Sequence, residues 1–253
     1  MIKHHPTIDM LNAYTKGELP ASLSVAINIH SQSCDECKHH IAHLTQGHAT
    51  QAFNDFTEAM PNFSDRKGLN LNTSHSDLAS DADSESAVID LDFDTNDEFN
   101  DMFSAITKQD DEPITAVAKK PKEKILTVKK DSYTLPSVLN NVEQGKWTHL
   151  GKISRLPLIL DEGSIHTHLL RIEPKGQVPE HTHKGFELTL LLDGEFEDEM
   201  GKYVKGDFIC LDSANKHSPQ TTQGCLCLTV VNDALQFTKG MSKLLNPFGN
   251  LIY

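Results

Sequence analysis

The chain has 253 residues, 38% of them hydrophobic, and a net charge of −13, with a mean hydropathy of −0.40. These values fit one large domain or two small ones, and they are thin in core material for a single large one. The acidity disfavours direct nucleic-acid binding, because phosphate repels it, and no run of about 18 apolar residues offers a membrane span.

The N-terminal MIKHHPTIDML carries no apolar h-region and no cleavage site, which predicts no signal peptide and a cytoplasmic location. Five cysteines in such a chain argue for metal or thiol roles rather than a disulfide framework. The charge is uneven. Asp77 to Glu112 holds 13 acids and one base, Lys108, and the remainder is close to neutral.

The first region, 1–62, reads as helical. Ile8, Leu11 and Tyr14 recur near helical spacing, and Gly17 marks a stop. Pro20 opens a second run with Leu23, Ala26, Ile27 and His30 on one face. A third helix is expected from Asp35, extending through Phe53, Phe56 and Met60. Its apolar stripes are few, so a small bundle of this kind needs a staple.

The second region, 63–123, is rich in Ser, Asp, Asn and Thr and reads as an acidic linker. One island interrupts it near 96–108, NDEFNDMFSAITK. Phe99, Met102, Phe103 and Ile106 fall at i, i+3, i+4 and i+7, an amphipathic helix that packs on its own chain or docks in a partner's groove. The third region, 124–240, carries apolar alternation. HTHLLRIEP, FELTLLLDGEF, YVKGDFICLD and CLCLTVVND read as strands, separated by turns at Asp193-Gly194, Met200-Gly201 and Lys205-Gly206. An all-β sandwich or jelly roll follows. Residues 241–253 form a tail. The fold class is thus multi-domain, α plus all-β.

Two clusters carry chemistry. In HSQSCDECKHH, His30-x3-Cys34-x2-Cys37 places three ligands within two helical turns. Zinc asks for a fourth, and His5 or His4 is the obvious donor, with His39, His40 and His43 in reserve. A redox Cys-x-x-Cys would need a βαβ context, and the flanks here are helical. The second cluster is His181-x-His183-x3-Glu187-x6-Gly194, with Gly194 as the hairpin turn and His217 supplied by a later strand after Gly206-Asp207. Three imidazoles and a carboxylate suit Zn, Fe, Mn, Ni or Cu. Cys225 and Cys227 share a strand face. With Cys210 they read as small buried hydrophobes, or the pair as thiols open to oxidation near the second cluster.

HHPTIDMLNAYTKGEL followed by HSQSCDEC resembles the zinc-binding anti-sigma domain, in the ChrR-type subgroup that joins it to a C-terminal cupin. The second cluster resembles the cupin metal motif, although LDSANKHSP replaces the proline-rich stretch usual before the last histidine. The resemblance implies a jelly-roll cupin behind a zinc-stapled helical bundle. It implies zinc on His5, His30, Cys34 and Cys37, and zinc or another divalent metal on His181, His183, Glu187 and His217.

It further implies sequestration of an extracytoplasmic-function (group IV) sigma factor, released when the cupin senses singlet oxygen or organic hydroperoxides. Such a protein is a regulator and not an enzyme. Phe99, Met102, Phe103 and Ile106 are the expected partner anchors, on their spacing. The alternative is a cupin metalloenzyme, dioxygenase-like, with an accessory zinc domain.

Overall fold

A computed structural model of the chain describes residues 1–59, 123–233 and 235–238. The acidic linker and the four expected anchors, Phe99, Met102, Phe103 and Ile106, lie outside the described residues, as does the tail.

Three helices come first. Helix α1, Ile8–Lys16, starts where the Thr7 hydroxyl accepts from the Met10 amide. It ends at Gly17, whose φ of 71° only glycine adopts freely. Helix α2, Ala21–Ser33, follows Pro20, which offers no side-chain cap. The missing acceptor comes from the β region: the Glu162 carboxylate accepts from the Ser22 amide at 3.1 and 3.2 Å, placing negative charge at the helix N-terminus. Helix α3, Asp35–Ala59, has Asp35 and Glu36 in its first turn. Ile41 and Leu44 pack toward the core, whereas Phe53, expected on the apolar face, is 66% exposed.

The β region is antiparallel throughout the described pairings. Strands β1 (Lys124–Val128) and β2 (Asp131–Leu135) form a hairpin. The main sheet begins with β3 (Glu143–Gln144), β4 (Thr148–Leu150), β5 (Ile153–Ile159) and β6 (His166–Ile172). Next come β7 (Gly176–Gln177), β8 (His181–His183), β9 (Glu187–Glu197), β10 (Lys202–Val204) and β11 (Phe208–Leu211). The last are β12 (Gln220–Thr221), β13 (Cys225–Val231) and β14 (Leu235–Phe237). The sheet runs β3-β5-β6-β13-β9-β12-β7, with β10 and β11 also on β9, β4 on β5, and β14 on β8. Every residue of β13 is buried, as a strand flanked by β6 and β9 and covered on both faces should be.

Gly194 corrects one expectation. It does not turn a hairpin but lies within β9, with φ 78°. A Cβ there would stand 2.2 Å from the Gly224 carbonyl oxygen, and the β13–β9 register shifts nearby, between Leu226 and Cys227. Glycine permits a bulge here, which bends the long strand. The turns at Met200-Gly201 and Lys205-Gly206 do separate strands. Cys210 is exposed, not buried; Cys225 and Cys227 are buried.

Helices and sheet share one apolar core. Leu11, Ala26 and Ile27 belong to the same buried cluster as Leu190, Phe208, Leu228 and Val230. The hairpin is held differently. Arg171, 1% exposed, donates from Nε to the Tyr133 hydroxyl at 3.2 Å and pairs with Asp131 and with Glu173 at 3.4 Å. Replacing Arg171 by Met removes the cation and leaves Asp131 and Glu173 facing each other's charge. We expect a loss of about 2–4 kcal/mol in urea unfolding, less than a fully buried pair would cost because both carboxylates keep some water. A loss under about 0.5 kcal/mol would mean that the hairpin is held by its apolar contacts alone.

Candidate metal centres

The first candidate centre sits where α2 gives way to α3. His30, in the last turn of α2, Cys34 at its C-cap and Cys37 in the first turn of α3 present three donors to one point. The extended N-terminus brings His5 alongside. Its Nδ1 lies 3.3 Å from the Cys34 sulfur and 3.6 Å from that of Cys37, and His30 Nε2 lies 3.3 Å from Cys37 Sγ. All four donor atoms fall within 4.8 Å of one another. The edges of a tetrahedron around zinc, for bonds near 2.0–2.3 Å, are about 3.3–3.8 Å, so the donor set fits.

The outer contacts fit as well. His30 donates Nδ1–H to the Gly206 carbonyl at 2.7 Å, which leaves Nε2 as the donor atom facing the sulfurs. His5 turns its Nε2 toward Glu36 at 3.7 Å. Burial lowers the pKa of His30 and keeps it neutral, as a ligand must be. Burial, and then its neighbour Cys34, pushes the Cys37 thiol up to about 12. The Cys37 thiol in this position ionises only for a cation. His4 is not in the group: its ring stacks obliquely on Tyr203, with centroids 4.8 Å apart. His39, His40 and His43 are exposed along α3.

The second candidate centre is inside the β region. His181 and His183 alternate on β8, and both are buried. Glu187 opens β9, and His217 approaches through a backbone bridge to His181. Glu187 Oε2 lies 2.8 Å from His183 Nε2 and 3.2 Å from His217 Nε2, while the Nε2 atoms of His217 and His181 face each other at 2.9 Å. His181 donates Nδ1–H to the Pro179 carbonyl at 2.9 Å, and His217 donates Nδ1–H to Asp198 Oδ2 at 3.2 Å. Both rings therefore aim Nε2 inward.

The electrostatics ask for a cation here too. Burial lowers His181 to about 4. Burial opposes the charge on Glu187, yet His183 and His217 hold its pKa well below the usual carboxylate range. Burial also works against charge on His217, but Asp198 and Glu187 outweigh it and raise that group to about 9. A proton on His217 thus balances Glu187, and a divalent cation among the four donors would take its place. The donor set fits such an ion.

A cavity of about 460 Å³ opens on this group, lined by His181, Glu187 and His217 and walled by apolar side chains including Leu170, Ile172 and Phe196. Cys227 also lines it. Its neighbour Cys225, and then burial, raise the Cys227 pKa far above the usual thiol range, so the resting thiol is protonated and weakly nucleophilic.

Asp198, Tyr203 and Asp207, which support these groups, were not singled out by spacing. Only the Gly206-Asp207 pair was visible in the sequence, and then as a landmark before His217.

Residues 137–234 match the family described as the ChrR cupin-like domain. The chain is 27% identical over 250 residues to the anti-sigma-E factor ChrR of Cereibacter sphaeroides, covering 98% of each. It also superposes on a chain of the crystal structure of Rhodobacter sphaeroides SigE in complex with the anti-sigma ChrR. That match has a TM-score of 0.56 and 24% identity, and covers 91% of this chain and 100% of that one. Among the described residues, no helix is long and apolar enough to cross a membrane.

Proposed function

We propose that this chain, whose residues 137–234 match the ChrR cupin-like domain family, is a zinc-dependent anti-sigma factor. The observation that carries the reading is one chain bearing both donor groups, Cys₂His₂ on the helices and His₃Glu in the cupin, along a length similar end to end to an anti-sigma-E factor. His5, His30, Cys34 and Cys37 would hold zinc, which supplies a cross-link that a bundle this small otherwise lacks. His181, His183, Glu187 and His217 would hold zinc or another divalent metal.

The helices would bind an extracytoplasmic-function sigma factor. Sigma factors carry basic surfaces for DNA and polymerase, so the acidic segment would steer the encounter, with Phe99, Met102, Phe103 and Ile106 as apolar anchors. In this reading the cupin loosens the complex on oxidative signals, singlet oxygen and organic hydroperoxides. The imidazoles around its cavity and the thiol of Cys227, which lines it beside the buried Cys225, are side chains such oxidants attack. The domain boundaries that go with this reading are 1–62 for the anti-sigma domain, 63–123 for the linker, 124–240 for the cupin and 241–253 for the tail. The protein would work in the cytoplasm, without contacting nucleic acid or membrane.

The cavity favours a second reading, a dioxygenase-like cupin metalloenzyme with an accessory zinc domain, because it is large enough for a small substrate. Co-expression with an extracytoplasmic-function sigma factor, purified by a tag on this chain alone, separates the two. The first reading expects a stoichiometric complex with about two zinc ions per chain, one for each four-donor group. No complex, together with redox-active iron in the cupin, would establish the second.

A further inference from the structure

The two donor groups are not independent. The N-terminal strap that carries His5 lies across the cupin turn between β10 and β11, and the contacts are specific. Asp207, 1% exposed, accepts through Oδ1 from the amides of Lys3 at 2.7 Å and His4 at 3.0 Å. Its Oδ2 accepts from the Val204 amide at 2.8 Å. The next amide, Phe208, donates to the His4 carbonyl at 3.0 Å. One residue earlier, the Gly206 carbonyl takes the Nδ1 proton of His30. Gly206 has φ 95°, and a Cβ there would stand 2.6 Å from the Ile2 side chain, so the strap packs flush on this turn. Three consecutive cupin positions, Gly206, Asp207 and Phe208, therefore fix the segment just ahead of His5 and the ring of His30.

The same turn connects to the cupin group. His217, whose Nε2 faces Glu187, donates through Nδ1 to Asp198 Oδ2. The Tyr203 hydroxyl donates to Asp198 Oδ1 at 3.2 Å. The Tyr203 ring then meets the ring of His4, the neighbour of His5. Each link is a hydrogen bond or a ring contact, and the line runs from one donor group to the backbone beside the other.

We propose that Asp207 is a positioning residue for the N-terminal metal group, and that the turn it closes, with Tyr203 and Asp198, couples that group to the cupin group. The inference rests on the reading that His5, His30, Cys34 and Cys37 hold a metal. It supplies a physical route by which a change at His217 alters the fit of His5: movement of the imidazole shifts Asp198, releases Tyr203, and frees the strap. Partners that orient ligands from outside typically set metal affinity by 10–100-fold.

The test uses the full chain titrated with cobalt(II), followed by the thiolate-to-cobalt charge-transfer absorption. That band reports the cysteine-bearing group alone, because the cupin set holds no sulfur ligand. Asp207→Asn replaces one of the two acceptor oxygens by an NH₂ group. It is expected to weaken binding at the thiolate group by about tenfold or more and to reduce the tetrahedral ligand-field intensity as water displaces His5. Tyr203→Phe keeps the ring and loses the bond to Asp198, and should weaken binding by about threefold, less than a partner that touches the strap directly. Ile2→Ala leaves every cupin hydrogen bond in place and decides the matter if Asp207→Asn does not fold; it too should weaken the thiolate group several-fold. Wild-type affinity and spectrum in folded Asp207→Asn, or in Ile2→Ala where Asp207→Asn is unfolded, would overturn the proposal. A wild-type chain that shows no thiolate band at all would overturn the metal reading and this inference with it.

Discussion

Changing Cys34 and Cys37 together to serine is expected to abolish metal binding at the N-terminal group, melt α1–α3 and eliminate capture of the sigma factor. Beyond the core they share with the sheet, the helices have few fully buried apolar side chains to hold them. Their buried apolar side chains are Leu11, Ala26, Ile27 and Ile29, and the far part of α3 is largely exposed. Structural zinc in small domains contributes about 10–16 kcal/mol of apparent binding free energy near pH 7, more than a few buried aliphatic side chains at about 1.5–3 kcal/mol each. Serine hydroxyls do not ionise for the metal as thiols do, so the double variant keeps the shape and loses the staple. The loss should appear as reduced far-UV helical ellipticity with the strand signal retained, because the β13–β6 and β13–β9 backbone ladders use none of the substituted atoms. Chelation of the unmodified chain should reproduce it. Full helicity and full sigma capture in the metal-free double variant would refute the zinc dependence.

How much of this was legible in the sequence depends on the range of each contact. The four donors of the cupin lie within two short stretches. Strand alternation puts His181 and His183 on one face, and Glu187 follows four residues on, so spacing was enough. His217 needed the Gly-Asp landmark. The choice between His4 and His5 was not readable, since adjacent residues satisfy the same spacing. In the structure Asp207 and Phe208, about 200 residues away, hold the backbone of His4, and it is the His5 side chain that faces the sulfurs.

Gly194 was misread for a related reason. Asp-Gly between apolar runs is a strong hairpin signal, and what overrides it is the Gly224 carbonyl, just ahead of β13, packed against the glycine. Strand β5 is hard to read from sequence, because Pro157 within it argues against an interior strand. The residue nonetheless aligns with His168 on β6. Glu162 as the cap of α2 is another contact that no local rule reveals, because it joins positions 140 apart.

Glu187→Gln is the second large effect. The substitution keeps the volume and removes the one carboxylate among the four donors. Without it the cupin group should lose a divalent metal by more than about 100-fold, beyond what outer-shell changes cost, and metal content should fall from about two ions per chain to about one. The fold should survive: Leu188, Leu190, Leu228 and Val230 are fully buried and make no use of the carboxylate. Such a chain separates the two halves of the proposed function. It should still capture the sigma factor, because the Cys₂His₂ group is intact, while release by an organic hydroperoxide is lost. Simultaneous loss of both metals would instead show that the cupin group is needed to hold the N-terminal one, as the line through His217, Asp198 and Tyr203 allows. Unchanged metal content and unchanged release would remove Glu187 from the site altogether, and with it the role assigned to the cupin in sensing.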